Sequence, residues 1–334
     1  MNSLNGKRCL VTGGAGFIGS TIVDQLLDAG VSEIRVLDNF IRGNRHNLAD
    51  AMDRGSVELV DGDIRNAGLV DELTDGVDYV FHQAALRITR CAEAPREAVE
   101  VLMTGTLNVV ESALKHNVTK VMAASSASVY GEPSYLPIDE GHPFNNRTLY
   151  GAGKIAGEQM LRAIHDTNGL NYICFRPFNV YGPRMDTTGA YTEVLIRWLD
   201  AIDANKPPLI FGDGVQSMDF VFVKDVARAY VMAAQSDLTD EAFNLGTGVQ
   251  TSLNELCDLL LKITGSALRP EHREARKVGN VQRRRAAMEK AERLLGFKPQ
   301  VSLEEGLRQL IRWRSESQEM SAAPMGVRAT GVSR

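Results

Sequence analysis

The chain has 334 residues, more than one domain usually takes and too few for three, with 37 Lys+Arg against 42 Asp+Glu for a net charge of −5. Mixed signs at that balance argue against a nucleic-acid or anionic-membrane partner, and no apolar run approaches the ~18 residues of a membrane span. Four Cys (9, 91, 174, 257) form no CxxC pair and six His form no HExxH, so neither a disulfide framework nor a metal site is expected. The opening MNSLNGKRCLVTGG lacks the apolar run of a signal peptide, and a cytoplasmic protein is expected.

In the first half, short apolar runs alternate with longer amphipathic ones. Arg8–Thr12, Ile34–Leu37, Val57–Val60, Tyr79–His82, Lys120–Ser125 and Tyr172–Arg176 read as buried strands. Phe17–Ala29, Pro95–His116 and Tyr150–Thr167 read as helices between them. This alternation predicts right-handed βαβ units, hence an α/β fold with a doubly wound parallel sheet. After Pro177 the pattern loosens and helices are expected near 191–203, 224–236, 252–264 and 303–314. The predicted organisation is a dinucleotide-binding domain (1–178 with 216–238) interwoven with a smaller α/β substrate domain (179–215 with 239–314). The polar stretch 315–334 is expected to be a disordered tail.

The first strand runs into Gly13, Gly16 and Gly19 and then a helix, in the string RCLVTGGAGFIGS. Glycines allow a tight turn and close approach to a pyrophosphate, and the helix N-terminus offers free N–H groups. Asp38 closes the next strand, where a carboxylate can accept both ribose hydroxyls of adenosine and repel a 2′-phosphate. NAD is therefore expected over NADP, with Arg42 and Arg45 as the nearby residues that could hold the extra phosphate. Tyr150 and Lys154, four apart at a helix start, share one face. They follow KVMAASSASVYG (120–131), a strand ending in hydroxyl residues. A hydroxyl, a phenol and an ammonium can together remove a proton from an alcohol while hydride leaves its carbon.

The set GGAGFIGS, Asp38, DGDIR (61–65), HQAA (82–85), SSASVYG (125–131), YGAGK (150–154) and RPFNVYGPR (176–184) resembles the extended short-chain dehydrogenase/reductase family. GDG (212–214), DFVFVKDVA (219–227) and NLGTG (244–248) extend the match over about 310 residues, and the likeness is greatest to the nucleotide-sugar 4-epimerases of the UDP-glucose/UDP-galactose type. The resemblance implies a Rossmann domain whose NAD lies against Gly13, Gly16, Phe17, Ile18, Gly19, Asp38 and Asn39. Asp63 and Ile64 would hold the adenine, and Ala84 and Ala85 would line the cofactor channel. It implies Tyr150 as general base, Lys154 on the nicotinamide ribose, and Ser126 on the sugar O4, with Ser128 as a second candidate. Asn179 would meet the substrate diphosphate, Phe211 the nucleotide base and Arg184 a phosphate or sugar acid. Family members of this kind pair as homodimers through helices near 95–116 and 150–167.

Departures narrow the reading. Related 4,6-dehydratases carry Asp-Glu just before the VYG string and related decarboxylases a Glu where Ser128 stands; here the pair is Ala127-Ser128. The minimal set fits C4 epimerisation of a nucleotide-diphosphate hexose, with a net NAD-dependent oxidoreductase or a silent NAD-binding module as alternatives. Met218 replaces an Arg that grips the diphosphate, and Leu102 replaces an Asn behind the active site. Arg184 with Arg276 or Lys277 is expected to supply the missing charge.

Overall fold

Apolar residues alternate sides along the first strand, β1 (Arg8–Thr12): Cys9 and Val11 enter one core and Leu10 the opposite one. Such a strand is covered on both faces, the condition a parallel sheet needs. The computed structural model describes residues 2–187, 194–275 and 281–322. In it β1 is joined by β2 (Glu33–Asp38), β3 (Val57–Asp61), β4 (Tyr79–His82), β5 (Lys120–Ala124), β6 (Tyr172–Pro177) and β7 (Glu241–Leu245). They form one sheet in the order β7-β6-β5-β4-β1-β2-β3, every pairing parallel. The doubly wound α/β fold is thus present, a Rossmann arrangement. Strand order reverses between β1 and β4, and a crevice opens at the carboxyl ends of the strands there.

The expected strands stand within a residue or so at each end. β7 is a correction: 239–314 is expected in the substrate domain, yet Glu241–Leu245 completes the main sheet. Phe243 and Leu245 lock into the core that holds Ile173 and Phe175 of β6. Five residues, two of them polar, carry too little pattern to show a strand on their own. Pro95–His116 is broken by a wide π-type turn at Glu100–Gly105 between helices Pro95–Val99 and Thr106–Lys115. A Cβ on Gly105 would lie 2.7 Å from Ile64 Cδ1, so the turn seats beside the Asp63-Ile64 corner.

The smaller domain gathers helices Val194–Asp203, Leu253–Thr264 and Leu303–Ala322 around Trp198, Leu256, Leu260, Leu307 and Leu310. Three two-stranded ribbons edge it: Asn179–Tyr181 with Phe220–Phe222, Ser217–Met218 with Thr251–Ser252, and Leu209–Phe211 with Glu271–Arg273. Ser252 and Glu255 form a reciprocal capping box that fixes where the second helix starts. The disordered tail expected from 315 is a second correction, because the last helix continues to Ala322. Arg314 is 7% exposed and ion-paired with Asp200, at 2.5 Å, and with Asp203, so the helix is pinned by charge where apolar periodicity has faded. Residues 323–334 lie outside the described residues. No helix among the described residues is long and apolar enough to cross a membrane.

Candidate active site

A cavity of about 840 Å³ opens where the strand order reverses. Gly13 leaves β1 with φ +68°, and a Cβ there would meet Ala84 N at 2.7 Å. A Cβ on Gly19 would sit 2.2 Å from Gly13 O, so the turn and the helix Phe17–Asp28 close only without side chains. Gly13, Gly16, Phe17, Ile18 and Gly19 all face the cavity. This is the cradle a pyrophosphate requires, and the residues present fit a dinucleotide.

Asp38 closes β2 at the cavity wall, 8% exposed. Its carboxylate accepts N–H bonds from Ala15 (3.0 Å) and Phe40 (2.9 Å). Burial pushes its pKa up, and these two bonds oppose the rise. Arg45 lies over the Phe40 ring and pairs with Asp61, while Arg42 Nε lies 3.6 Å from Asp186. Asn39 donates to Asp63 at 2.8 Å; Arg65 grips the same carboxylate and, with help from Asn39, holds it down to about 2. Asn39, Asp63 and Ile64 close one end of the cavity and Ala84 and Ala85 line its middle. Behind them, buried His82 is bonded to Thr12 and Thr106, and burial pushes its pKa down to about 3, so it is neutral.

At the other end Ser126, Ser128, Tyr150 and Lys154 converge. Ser126 caps a one-turn helix, Ala127–Tyr130, accepting the Ser128 N–H at 3.1 Å. Thr148 caps the helix Leu149–Asn168, whose first turn carries Tyr150 and whose second carries Lys154. Lys154 Nζ donates to the Ala124 carbonyl (2.6 Å) at the end of β5 and lies 5.8 Å from the Tyr150 ring centre. Burial pushes the Tyr150 phenol up, while a hydrogen bond with Ser126 opposes the rise. Lys154 thus stands beside the Tyr150 ring, and the hydroxyl of Ser126 is the group bonded to the phenol.

Burial pushes the Lys154 pKa down to about 8 from 10.5. Below pH 8 both folded and unfolded chains hold this proton, and burial of the charge weighs fully against folding. Between 8 and 10.5 the folded chain releases its proton first, and the cost fades as pH rises. Lys154→Met should therefore raise the melting temperature of the NAD-free protein near pH 7, by a free energy on the order of 3 kcal/mol at most. The gain should shrink in melts recorded at about pH 10. An equal gain at both values would contradict the linkage.

The substrate-side residues are less gathered. Arg184, at φ +69°, lines the cavity with its NH1 2.7 Å from Asp24 Oδ2. Among the described residues, Asn179 and Phe211 are not in the cavity wall. Asn179 donates its N–H to Asp219 O (3.0 Å), and Phe211 pairs in register with Arg273. Arg276 and Lys277 lie outside the described residues. Sequence reasoning missed Arg87, Asp186 and Arg197, all in the wall, with Arg87 NH2 2.6 Å from Asp186. A lone charge in the apolar string after β4 was the available signal for Arg87.

The fold and this site define a dinucleotide-dependent enzyme. The chain belongs to the NAD dependent epimerase/dehydratase family, whose profile matches residues 9–246, and NAD is its cofactor. It is 39% identical over 310 residues to a putative UDP-glucose 4-epimerase of Methanocaldococcus jannaschii, covering 91% of this chain and 97% of that one. Among solved structures it resembles UDP-N-acetylglucosamine 4-epimerase from Methanobrevibacter ruminantium in complex with UDP-N-acetylmuramic acid. That match has TM-score 0.89 and 31% identity, covering 94% and 99% of the two chains. It also resembles UDP-glucose 4-epimerase with UDP-glucose from Thermotoga maritima, with TM-score 0.87 and 32% identity, covering 93% and 99%.

Proposed function

We propose that this chain interconverts C4 epimers of a UDP-hexose while NAD stays bound. The observation that carries the reading is the composition of the catalytic end: three serines, one tyrosine and one lysine, with Ala127 and Ser128 where no carboxylate stands. Resembling dehydratases and decarboxylases carry a carboxylate at that place, and the shuttle of hydride and proton in epimerisation uses only the groups present here.

Tyr150, as phenolate, takes the proton from the sugar 4-OH and later returns it. Ser126 donates to the phenolic oxygen and aligns the sugar O4, with Ser128 beside it. Lys154, fixed by the Ala124 carbonyl, presents its remaining N–H groups to the cofactor ribose. Bound NAD supplies reversible hydride acceptance at C4. No net redox change and no net proton release follow. Asp38 selects the cofactor: Asp38→Ala should weaken NAD by about tenfold or more and narrow the gap to NADP. Calorimetry showing that the wild type holds both equally would contradict that assignment.

The same reading includes a cytoplasmic homodimer paired through the helices near 95–116 and 150–167. Val99 (42% exposed) and Leu149 (39%) support it; light scattering of a monomer at micromolar concentration would count against it.

The function is tested by incubating the purified protein with UDP-glucose and UDP-galactose and then with N-acetylated and uronic UDP-sugars. Product stereochemistry is read by NMR and reduced nicotinamide by absorbance. A C4-inverted product without accumulating reduced cofactor is expected. Accumulating reduced cofactor would make the chain a net oxidoreductase, and a 4-keto-6-deoxy product a dehydratase.

A further inference from the structure

Three consecutive residues beyond the Gly182-Pro183 bend each reach a different part of the cofactor cleft. Arg184 holds a left-handed φ of +69°, which a residue with a side chain disfavours, and turns its guanidinium to Asp24 on the first helix. Met185 is buried in the smaller domain's core, and Phe17, the first residue of helix Phe17–Asp28, packs against that same core. Asp186 carries its carboxylate to two arginines, with Oδ2 2.6 Å from Arg87 NH2 and 3.6 Å from Arg42 Nε. Phe17, Arg42, Arg87, Arg184 and Asp186 all line the cavity.

Arg42 follows β2 and Arg87 follows β4, and these two strands flank β1 on opposite sides. One carboxylate that meets both therefore spans the carboxyl end of β1, where the chain enters the glycine turn at 13–19. It arrives on a segment that Met185 anchors in the smaller domain, so the span joins that domain to both sides of the crevice. The side chains of Asp186, Arg87 and Arg42 are 21%, 16% and 41% exposed, so this contact can part, and salt screens it. Arg184 and Met185 hold the near end of the segment, and Asp186 is the end that can let go.

We propose that Asp186 is a positioning residue for the cofactor: by drawing Arg42 and Arg87 together across the crevice, it closes the cleft over bound NAD and sets how slowly NAD leaves. The assignment holds whichever sugar the site turns over. The test loads wild type, Asp186→Asn and Asp186→Glu with radiolabelled NAD, adds a large excess of unlabelled NAD, and follows the label that stays on the protein. Asp186→Asn should release NAD about tenfold faster, because the amide keeps the shape and loses the charge. Asp186→Glu restores the charge and should release NAD at a rate closer to wild type. Salt at about 1 M screens the pair and should bring the wild-type rate toward that of Asp186→Asn. Melting curves without NAD separate fastening from folding: both variants should melt close to wild type, since a partly exposed ion pair adds little stability. Release from Asp186→Asn within about twofold of wild type would overturn the proposal. Slower release would also overturn it, making the carboxylate a rival of the cofactor for the two arginines. So would an equal response of wild type and Asp186→Asn to salt, or a faster release that Asp186→Glu leaves fully in place.

Discussion

Tyr150→Phe is expected to keep the fold and its NAD and to lose about 10²–10⁴-fold in turnover, the range for removing a positioned general base. The ring packs against the core that contains Leu102 and Leu161, and phenylalanine preserves that contact. The lost atom is the phenolic oxygen, which meets the Ser126 hydroxyl inside the cavity. Ser126 lines an 840 Å³ space and can turn to water, so the deletion carries little structural cost. The measurement is kcat for UDP-galactose in a coupled assay, with NAD content determined on the same protein. Turnover within about threefold of wild type would remove Tyr150 from its role.

Glu158→Ala should destabilise the protein by about 3–5 kcal/mol, the usual cost of stranding one partner of a buried ion pair. Glu158 lies one turn past Lys154 and is 6% exposed. It receives Arg176 at 2.6 and 2.9 Å and the hydroxyl of Ser125. Arg176, on β6, also donates to Tyr130 OH (2.9 Å) and Glu140 O (3.0 Å), and Tyr130 donates to Asn244 of β7 (2.7 Å). One charge pair therefore ties the helix that carries Tyr150 and Lys154 to two strands and to the turn after Ser126. Urea denaturation should show the loss as a lower midpoint at unchanged slope. The double variant Glu158→Leu/Arg176→Met should recover much of it, because no charge is then left unpaired. Simple additivity of the two single losses would refute that account.

The dinucleotide half was legible because its physics is local. A strand, three glycines at close-packing positions and a carboxylate ending the next strand all lie within 31 residues, from Arg8 to Asp38. Tyr150 and Lys154 were legible from their spacing. The sugar end was not, because its geometry comes from segments that meet only in three dimensions. Arg87 reaches Asp186 across 99 residues. Arg184 was expected on a phosphate from its place after Gly-Pro, but no sequence pattern shows that Asp24, on the first helix, waits opposite it. The last helix was cut short for a similar reason: Arg314 anchors it by charges that hydrophobic periodicity does not register.

The placement of β7 bears on how this chain could be divided. The backbone quits the main sheet after β6, builds part of the small domain, and returns with helix Val223–Gln235 and strand Glu241–Leu245 before leaving again. A fragment ended near residue 178 would bare the outer edge of β6, the ladder that pairs with β7 from Ile173 to Pro177. Such an edge recruits other chains. It would also strip the first helix of its neighbour, uncovering Ile22 and Val23, which share a core with Val226 and Tyr230. The main-sheet part is thus no detachable module: its last strand arrives only after the smaller part has begun.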